Sequence, residues 1–178
     1  MKITKINAYE ILASGGYPTI EAYVELEDGS HATASVPYGA SAGSHEATVM
    51  MDGDAKRWNG KGMQNAIDKI ANVLAPALIG QDAYDQRAID MLMIDLDGTP
   101  NKAKLGSNTT LAVSQAVMKG GALASNLPLY YYVQQKFQLV NEVSIPTCIY
   151  TLVNGGEHGA DNLDIQEFQI VPASHISY

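Results

Sequence analysis

The clearest regularity near the N-terminus is an alternation of apolar and polar residues with a period of two. The apolar positions of this alternation are Ile20, Ala22, Val24 and Leu26. Acidic residues and a tyrosine lie between them, so one side of the predicted strand is buried and the other faces water. The pair Asp28-Gly29 predicts a tight hairpin turn, and residues 32–36 alternate again. With residues 2–11 as a preceding strand, the pattern predicts a three-stranded antiparallel meander.

From residue 63 onward the apolar residues follow a helical period instead. The first helical face consists of Met63, Ile67, Ile70, Leu74 and Leu78. Pro76 is expected to end or kink this helix, and Asp82 is expected to cap a second one. A third helix is predicted from Ser107 or Asn108 to about Ser125, with a short helix after it. A meander followed by a helical bundle places the chain in the α+β class.

The pattern changes again toward the C-terminus. Residues 145–153 and 163–171 are predicted to be strands, and a second glycine-rich loop, residues 154–162, connects them. We therefore expect one domain over residues 1–140 and the beginning of a second, incomplete domain over 141–178.

Composition narrows the possible functions. Hydrophobic residues make up 46% of the chain, which is enough for a sizeable core. The formal net charge of -8 disfavours nucleic-acid binding through a basic face. Cys148 is the single cysteine, so an internal disulfide is excluded and a reducing, cytoplasmic compartment is expected. The N-terminus shows no signal peptide, and no apolar run approaches the length of a membrane span.

Residues 36–47 read V-P-Y-G-A-S-A-G-S-H-E-A and contain the first candidate for chemistry. Glycine, proline and small residues make a helix or a straight strand unfavourable here. The seryl oxygens and free backbone N–H groups in such a run can serve a hard cation or a phosphate. The alternative is a plain surface connection between a strand and a helix.

Two residues near the C-terminus are further candidates. In a strand over residues 163–171, Glu167 shares a face with apolar neighbours. Partial burial raises the pKa of a carboxyl group, as a general acid requires; an edge strand whose glutamate reaches water is the alternative. His158 lies in the second glycine-rich loop, where an imidazole can follow substrate entry and exit or can simply be solvated.

Several short motifs, taken together in order, resemble the enolase family across the whole chain. The most specific are V-P-Y-G-A-S-A-G-S-H-E-A at 36–47, L-D-G-T-P-N-K-A-K-L-G at 96–106, N-G-G-E-H at 154–158 and D-I-Q-E-F at 164–168. The resemblance implies an enolase-type N-terminal cap domain followed by the first strands of an incomplete enolase-type α/β barrel. A complete barrel needs about 250 residues, more than the chain has after residue 140.

The resemblance also implies an activity, the reversible Mg²⁺-dependent dehydration of 2-phosphoglycerate to phosphoenolpyruvate in glycolysis. By motif, Ser41 is a ligand of the second Mg²⁺ and His158 closes on the phosphate side of the substrate. Glu167, with Gln166 beside it, lies near the departing hydroxyl. The base lysine and the carboxylates for the first Mg²⁺ are not in this chain, so we expect the 178-residue portion alone to be inactive. The family also implies a cytoplasmic homo-oligomer that pairs through its cap domains.

Four positions depart from the family pattern. Gly15 stands where an arginine is usual, Tyr38 and Glu157 stand where serine is usual, and Ala42 stands where threonine is usual. Together the departures indicate a divergent enolase. Three of them, Gly15, Tyr38 and Glu157, favour an alternative, a non-catalytic enolase-like protein that binds a partner through its cap surface. A third possibility is another metal-dependent enzyme of the wider superfamily, which abstracts a proton beside a different carboxylate.

Overall fold

The computed structural model describes residues 1–37, 43–138, 141–156, 159–160 and 163–173. The chain divides into two compact units, Met1–Phe137 and Gln138–Tyr178. Residue 140 lies outside the described residues, so the expected domain boundary between residues 140 and 141 stays a prediction.

A three-stranded antiparallel sheet begins the first unit. Its strands are β1 (Ile3–Leu12), β2 (Pro18–Leu26) and β3 (His31–Ser35), with β2 in the middle. In the ladders, Ala22 lies opposite Ala8 on one side and Ala34 on the other. Alternate residues of β2 and β3 are buried, as the period of two requires. The predicted meander is confirmed.

Five helices follow in the described part of this unit. They are α1 (Gln64–Lys69), α2 (Ala75–Leu78), α3 (Gln86–Asp97), α4 (Ser107–Ala124) and α5 (Leu129–Phe137). Helix α4 packs on β2 and β3, and both α3 and α5 pack on α4. The core lies between the sheet and the helices, and its fully buried side chains include Ile20, Leu26, Ile70, Leu74, Ile89 and Val113. The α+β class is confirmed.

Two details of the helices bear on the sequence-based expectations. A wide π-type turn over Ile70–Leu74 joins α1 to α2, and Pro76 lies at the start of α2, which ends at Leu78. Such turns accommodate an interruption of the regular helical hydrogen bonds. The prediction of Asp82 as a cap is wrong. Asp85 caps α3 by accepting a hydrogen bond from the Ala88 N–H at 3.0 Å, whereas Asp82 binds the N-terminal ammonium group at 3.0 Å.

Helix α4 comes close to its neighbours at two consecutive glycines. A Cβ at Gly120 would lie 3.5 Å from Leu26 of β2, and a Cβ at Gly121 would lie 2.5 Å from the Tyr132 hydroxyl oxygen of α5. The missing side chain at Gly121 therefore makes room for a buried tyrosine.

The second unit contains an antiparallel pair of strands, β4 (Tyr150–Asn154) and β5 (Glu167–Ile170). Both are shorter than predicted. Just before β5, the carbonyls of Gln166 and Leu163 accept hydrogen bonds from the N–H groups of Gly155 and Gly156 at 2.7 and 2.9 Å. Since the strands of a (β/α)₈ barrel are parallel, this pair does not by itself make a barrel. The barrel stays a prediction.

None of the helices in the described ranges combines the length and the apolar character needed to cross a membrane.

Candidate functional site

The first residue of the glycine-rich segment 36–47 is hydrogen-bonded to the sheet. The Val36 N–H donates to the carbonyl of Ile20 at 3.2 Å. The Val36 carbonyl in turn accepts a hydrogen bond from the buried hydroxyl of Thr19 at 2.5 Å. Ser41 lies outside the described residues, as do Tyr38 and Ala42. The structure therefore places the start of the segment but not its candidate ligand.

The described part of the segment resumes as a tight turn. The Glu46 N–H donates to the Gly43 carbonyl at 3.1 Å, and the Gly43 N–H donates to the Glu46 carboxylate at 2.9 Å. The Glu46 carboxylate therefore bonds to the backbone of its own turn.

The chain then packs against the connection between α3 and α4, residues 98–106, and against the first two residues of α4. The Thr48 N–H donates to the Asn101 carbonyl, and the Ser107 N–H donates to the Thr48 carbonyl, both at 2.8 Å. Met50, two residues after Thr48, is held by the Asn108 side chain. The Asn108 amide accepts from the Met50 N–H and donates to the Met50 carbonyl, each at 3.0 Å. The Asn108 side chain thus makes the two backbone hydrogen bonds that a neighbouring strand would make to Met50.

A buried carboxylate shapes this α3–α4 connection. Asp97 is 2% exposed, and it accepts hydrogen bonds from the Thr99 N–H at 3.0 Å and the Leu105 N–H at 2.7 Å. The Thr99 hydroxyl also donates to it. Desolvation by burial raises the pKa of Asp97, but these hydrogen bonds outweigh it and the pKa lies below its usual value. The carboxylate is therefore ionised and holds the connection in shape.

A second ionic cluster holds the stretch after Met50. The Arg57 guanidinium contacts the carboxylate of Glu10 on β1 and that of Asp52, the latter at 3.1 Å. Glu10 also accepts from the Met63 N–H at 2.8 Å. The hydrogen bond from Arg57 is the largest cause that lowers the pKa of Glu10 below its usual value. The cluster anchors the residues that precede α1 to the sheet.

The second unit places Gln166 and Glu167 beside the start of the second glycine-rich loop. Glu167 lies opposite Asn154 in the β4–β5 ladder. Gly155 fits closely here, since a Cβ on it would lie 2.1 Å from the carbonyl oxygen of Ile165. The structure thus brings together the first residues of the N-G-G motif and the D-I-Q-E motif. His158 and Glu157 lie outside the described residues.

Glu167 is exposed, so the expected partial burial of its carboxylate is wrong for the described unit. Its carboxylate accepts a hydrogen bond from the Gln169 amide at 2.6 Å, and the Thr151 hydroxyl lies 3.5 Å away. The strand begins at Glu167, so the apolar residues at 163 and 165 are not part of the ladder. The structure agrees with the alternative, a glutamate whose side chain reaches water.

The described residues contain no group of three or more histidine, cysteine, aspartate or glutamate side chains that would hold a metal ion. Sequence reasoning also missed the residues that hold the first glycine-rich segment, above all Asn108 and Asp97. An asparagine at a helix start looks like an ordinary cap, and no local pattern signals that it reaches Met50.

The protein-family model described as "Enolase, N-terminal domain" matches residues 3–133. The match includes Ser41 and ends before Gln166 and Glu167.

Proposed function

Because the chain belongs to the enolase N-terminal domain family, we propose that the complete protein is an enolase. In this proposal it catalyses the reversible Mg²⁺-dependent dehydration of 2-phosphoglycerate to phosphoenolpyruvate, and the 178-residue chain is its N-terminal portion. The family match over residues 3–133 is the observation that carries the proposal.

The proposal assigns roles to four side chains of this chain. Ser41 contributes an oxygen ligand to the second Mg²⁺, and His158 binds on the phosphate side of the substrate. Gln166 binds the substrate, and the Glu167 carboxyl gives a proton to the departing hydroxyl so that it leaves as water. When bound, Mg²⁺ supplies positive charge that offsets the negative charge of the deprotonated substrate.

The exposed position of Glu167 bears on this assignment. A carboxyl group open to solvent does not have the desolvation that makes it a good general acid near neutral pH. The proposal therefore requires the complete site to surround Glu167 with groups beyond those described here. A pH–rate profile of the complete protein reports whether an acid with a raised pKa is present.

The direct test is the appearance of phosphoenolpyruvate absorbance when the full-length protein is mixed with 2-phosphoglycerate and Mg²⁺. We expect turnover by the full-length protein and none by the purified 178-residue chain. An inactive full-length protein contradicts the proposal, and turnover by the short chain contradicts the assignment of the base to residues beyond it.

One observation favours a second candidate, a non-catalytic enolase-like protein that binds a partner through its cap surface. A Cβ built at Gly15 meets no atom within 4 Å. The turn therefore has room for a Cβ atom at this position, so the glycine is not required by close packing there. A titration of the full-length protein with 2-phosphoglycerate, with and without Mg²⁺, separates the candidates, because only the enzyme should show Mg²⁺-dependent binding.

The proposal also includes the setting of the enzyme. We place it in the cytoplasm as a homo-oligomer that pairs through its cap domains. Sedimentation of the full-length protein tests the oligomeric state, and fractionation of cells tests the compartment.

A further inference from the structure

An open groove with a volume of about 360 Å³ lies between helices α3 and α4. Ile94 of α3 and Leu111 of α4 line it, and these two large aliphatic side chains are 40% and 44% exposed. The hydroxyl-bearing residue Thr110 lies between them in the lining. An exposed apolar surface with a polar border is typical of an interaction site.

The groove carries one charge of each sign, and the two charges lie at opposite ends. Asp90 marks the end beside Ser114, because the Gln86 amide donates both to Asp90 at 2.9 Å and to the Ser114 hydroxyl at 3.1 Å. Lys102 marks the other end, in the connection that leads into α4 at Ser107. About 10 Å of helix separates Ser107 from Ser114. The groove is therefore acidic at one end, basic at the other and apolar between them.

This charge pattern is complementary to itself. A twofold axis perpendicular to the groove places the Asp90 end of one copy on the Lys102 end of another. Ile94 and Leu111 of both copies then meet near the axis, and an Asp90–Lys102 pair lies on each side of them. A partner with charge of a single sign would match one end of the groove and be repelled by the other.

We infer that the α3–α4 groove is a self-association surface on which a second copy of this chain docks in the antiparallel orientation. The inference specifies the surface for the homo-oligomer of the proposed function and rests on that part of it, but it does not depend on enolase activity. Helix α3 has 12 residues and is about 18 Å long. The covered face is therefore smaller than a standard protein interface, and we expect association in the micromolar range.

Site-specific cross-linking of the full-length protein tests the surface directly. Leu111→Cys places a thiol near the proposed axis, where the thiols of two copies come within reach of a disulfide. Leu123→Cys is the matched control, because Leu123 lies on the same helix and is more exposed, at 57%. Both variants carry Cys148→Ser, which removes the single thiol of this chain. We expect a disulfide-linked dimer from Leu111→Cys and none above background from Leu123→Cys.

Sedimentation over a range of protein concentrations tests the charge pairing. Lys102→Asp places two acids together at each end of the groove, and the axis repeats the change. We expect the Kd for self-association to rise about tenfold. The double variant Asp90→Lys/Lys102→Asp reverses both charges and should return the Kd to within about threefold of the wild-type value. Lys69→Asp, on α1, makes the same change in net charge away from the groove and should leave the Kd unchanged.

Urea denaturation of each variant shows that it is folded. Lys102 has a φ of 59°, a conformation that aspartate adopts more readily than most residues. Lys102 also interacts with the buried carboxylate of Asp97. If Lys102→Asp does not fold, Asp90→Lys replaces it and places two bases together at each end.

Equal cross-linking of the two cysteine variants, or a Kd that neither charge reversal changes, refutes the groove as the self-association surface. If oligomers form all the same, they pair through a different surface. A wild-type protein that stays monomeric at every concentration leaves the groove to a different protein and overturns both this surface and the proposed homo-oligomer. A wild-type protein that associates through the groove but does not turn over 2-phosphoglycerate contradicts the proposed activity alone.

Discussion

Gly106 offers the sharpest test of how the α3–α4 connection is built. Its backbone has φ 91° and ψ 137°, a region that is open almost only to glycine. The space for a side chain is also filled, because a Cβ would lie 2.6 Å from the Met50 Cβ and 3.2 Å from the Met50 nitrogen. Gly106→Ala therefore carries two separate penalties.

The two penalties can be estimated one by one. The backbone conformation costs about 1–3 kcal/mol for a residue with a side chain. The overlap with Met50 costs about 1–3 kcal/mol more, which is the usual range for inserting an atom into a packed site. We expect Gly106→Ala to lower the free energy of unfolding by about 2–6 kcal/mol.

Urea denaturation at neutral pH measures this change, and Gly98→Ala is its control. Gly98 also has a positive φ, 66°, but the nearest atom to its Cβ position is the Asp95 carbonyl oxygen at 3.6 Å. It should lose only the conformational part, about 1–2 kcal/mol. If Gly106→Ala costs no more than Gly98→Ala, the close approach of Met50 to the connection is refuted.

Three further changes test other parts of the chain. Asp97→Asn should cost about 1–3 kcal/mol in urea denaturation at pH 7. Because the pKa of Asp97 is lowered on folding, its contribution is present above the usual aspartate value and is lost as pH falls through the folded pKa. The variant should therefore lose less stability than wild type below about pH 4, and an equal acid loss argues against this role. Tyr132→Phe should leave stability unchanged or raise it by up to about 1 kcal/mol, since its buried hydroxyl has no hydrogen-bond partner among the described residues. Burial raises the pKa of Tyr132 to about 12, so ultraviolet titration of the variant should lose the most alkaline tyrosine, and loss of a tyrosine that titrates near pH 10 would contradict the assignment. In the full-length protein Glu167→Gln should lower kcat by about 10²–10⁴-fold. Ile170→Val, on the same strand, should change it far less, and comparable losses in both variants would point to a structural role.

Much of the fold follows from local patterns. The period of two over residues 20–26 and the Asp28-Gly29 turn specify a hairpin, because both depend only on neighbouring residues. The helical period after Met63 likewise predicts which residues are buried. The cap of α3 was misplaced because Asp82 and Asp85 are equally good candidates in sequence. In the structure Asp82 instead contacts the N-terminal ammonium group, 81 residues away along the chain.

For the candidate site too, some features follow from local sequence patterns and others depend on the tertiary structure. The ordered motifs identify the family and point to Ser41, His158, Gln166 and Glu167 as candidates without any coordinates. Periodicity misjudged the surroundings of Glu167, because a period of two says which residues share a face only as far as the strand extends. The ladder begins at Glu167 itself, so Leu163 and Ile165 do not share a strand face with it.

The sequence by itself determined the elements of this protein, their order and the family to which it belongs, since each of these rests on short patterns of neighbouring residues. Only the tertiary structure decided which distant groups meet. Asn108 reaches Met50 across 58 residues, and Asp97 is buried with its charge satisfied by Thr99 and Leu105. A local pattern shows which side of an element faces inward, but the partner on that side depends on how all the elements pack.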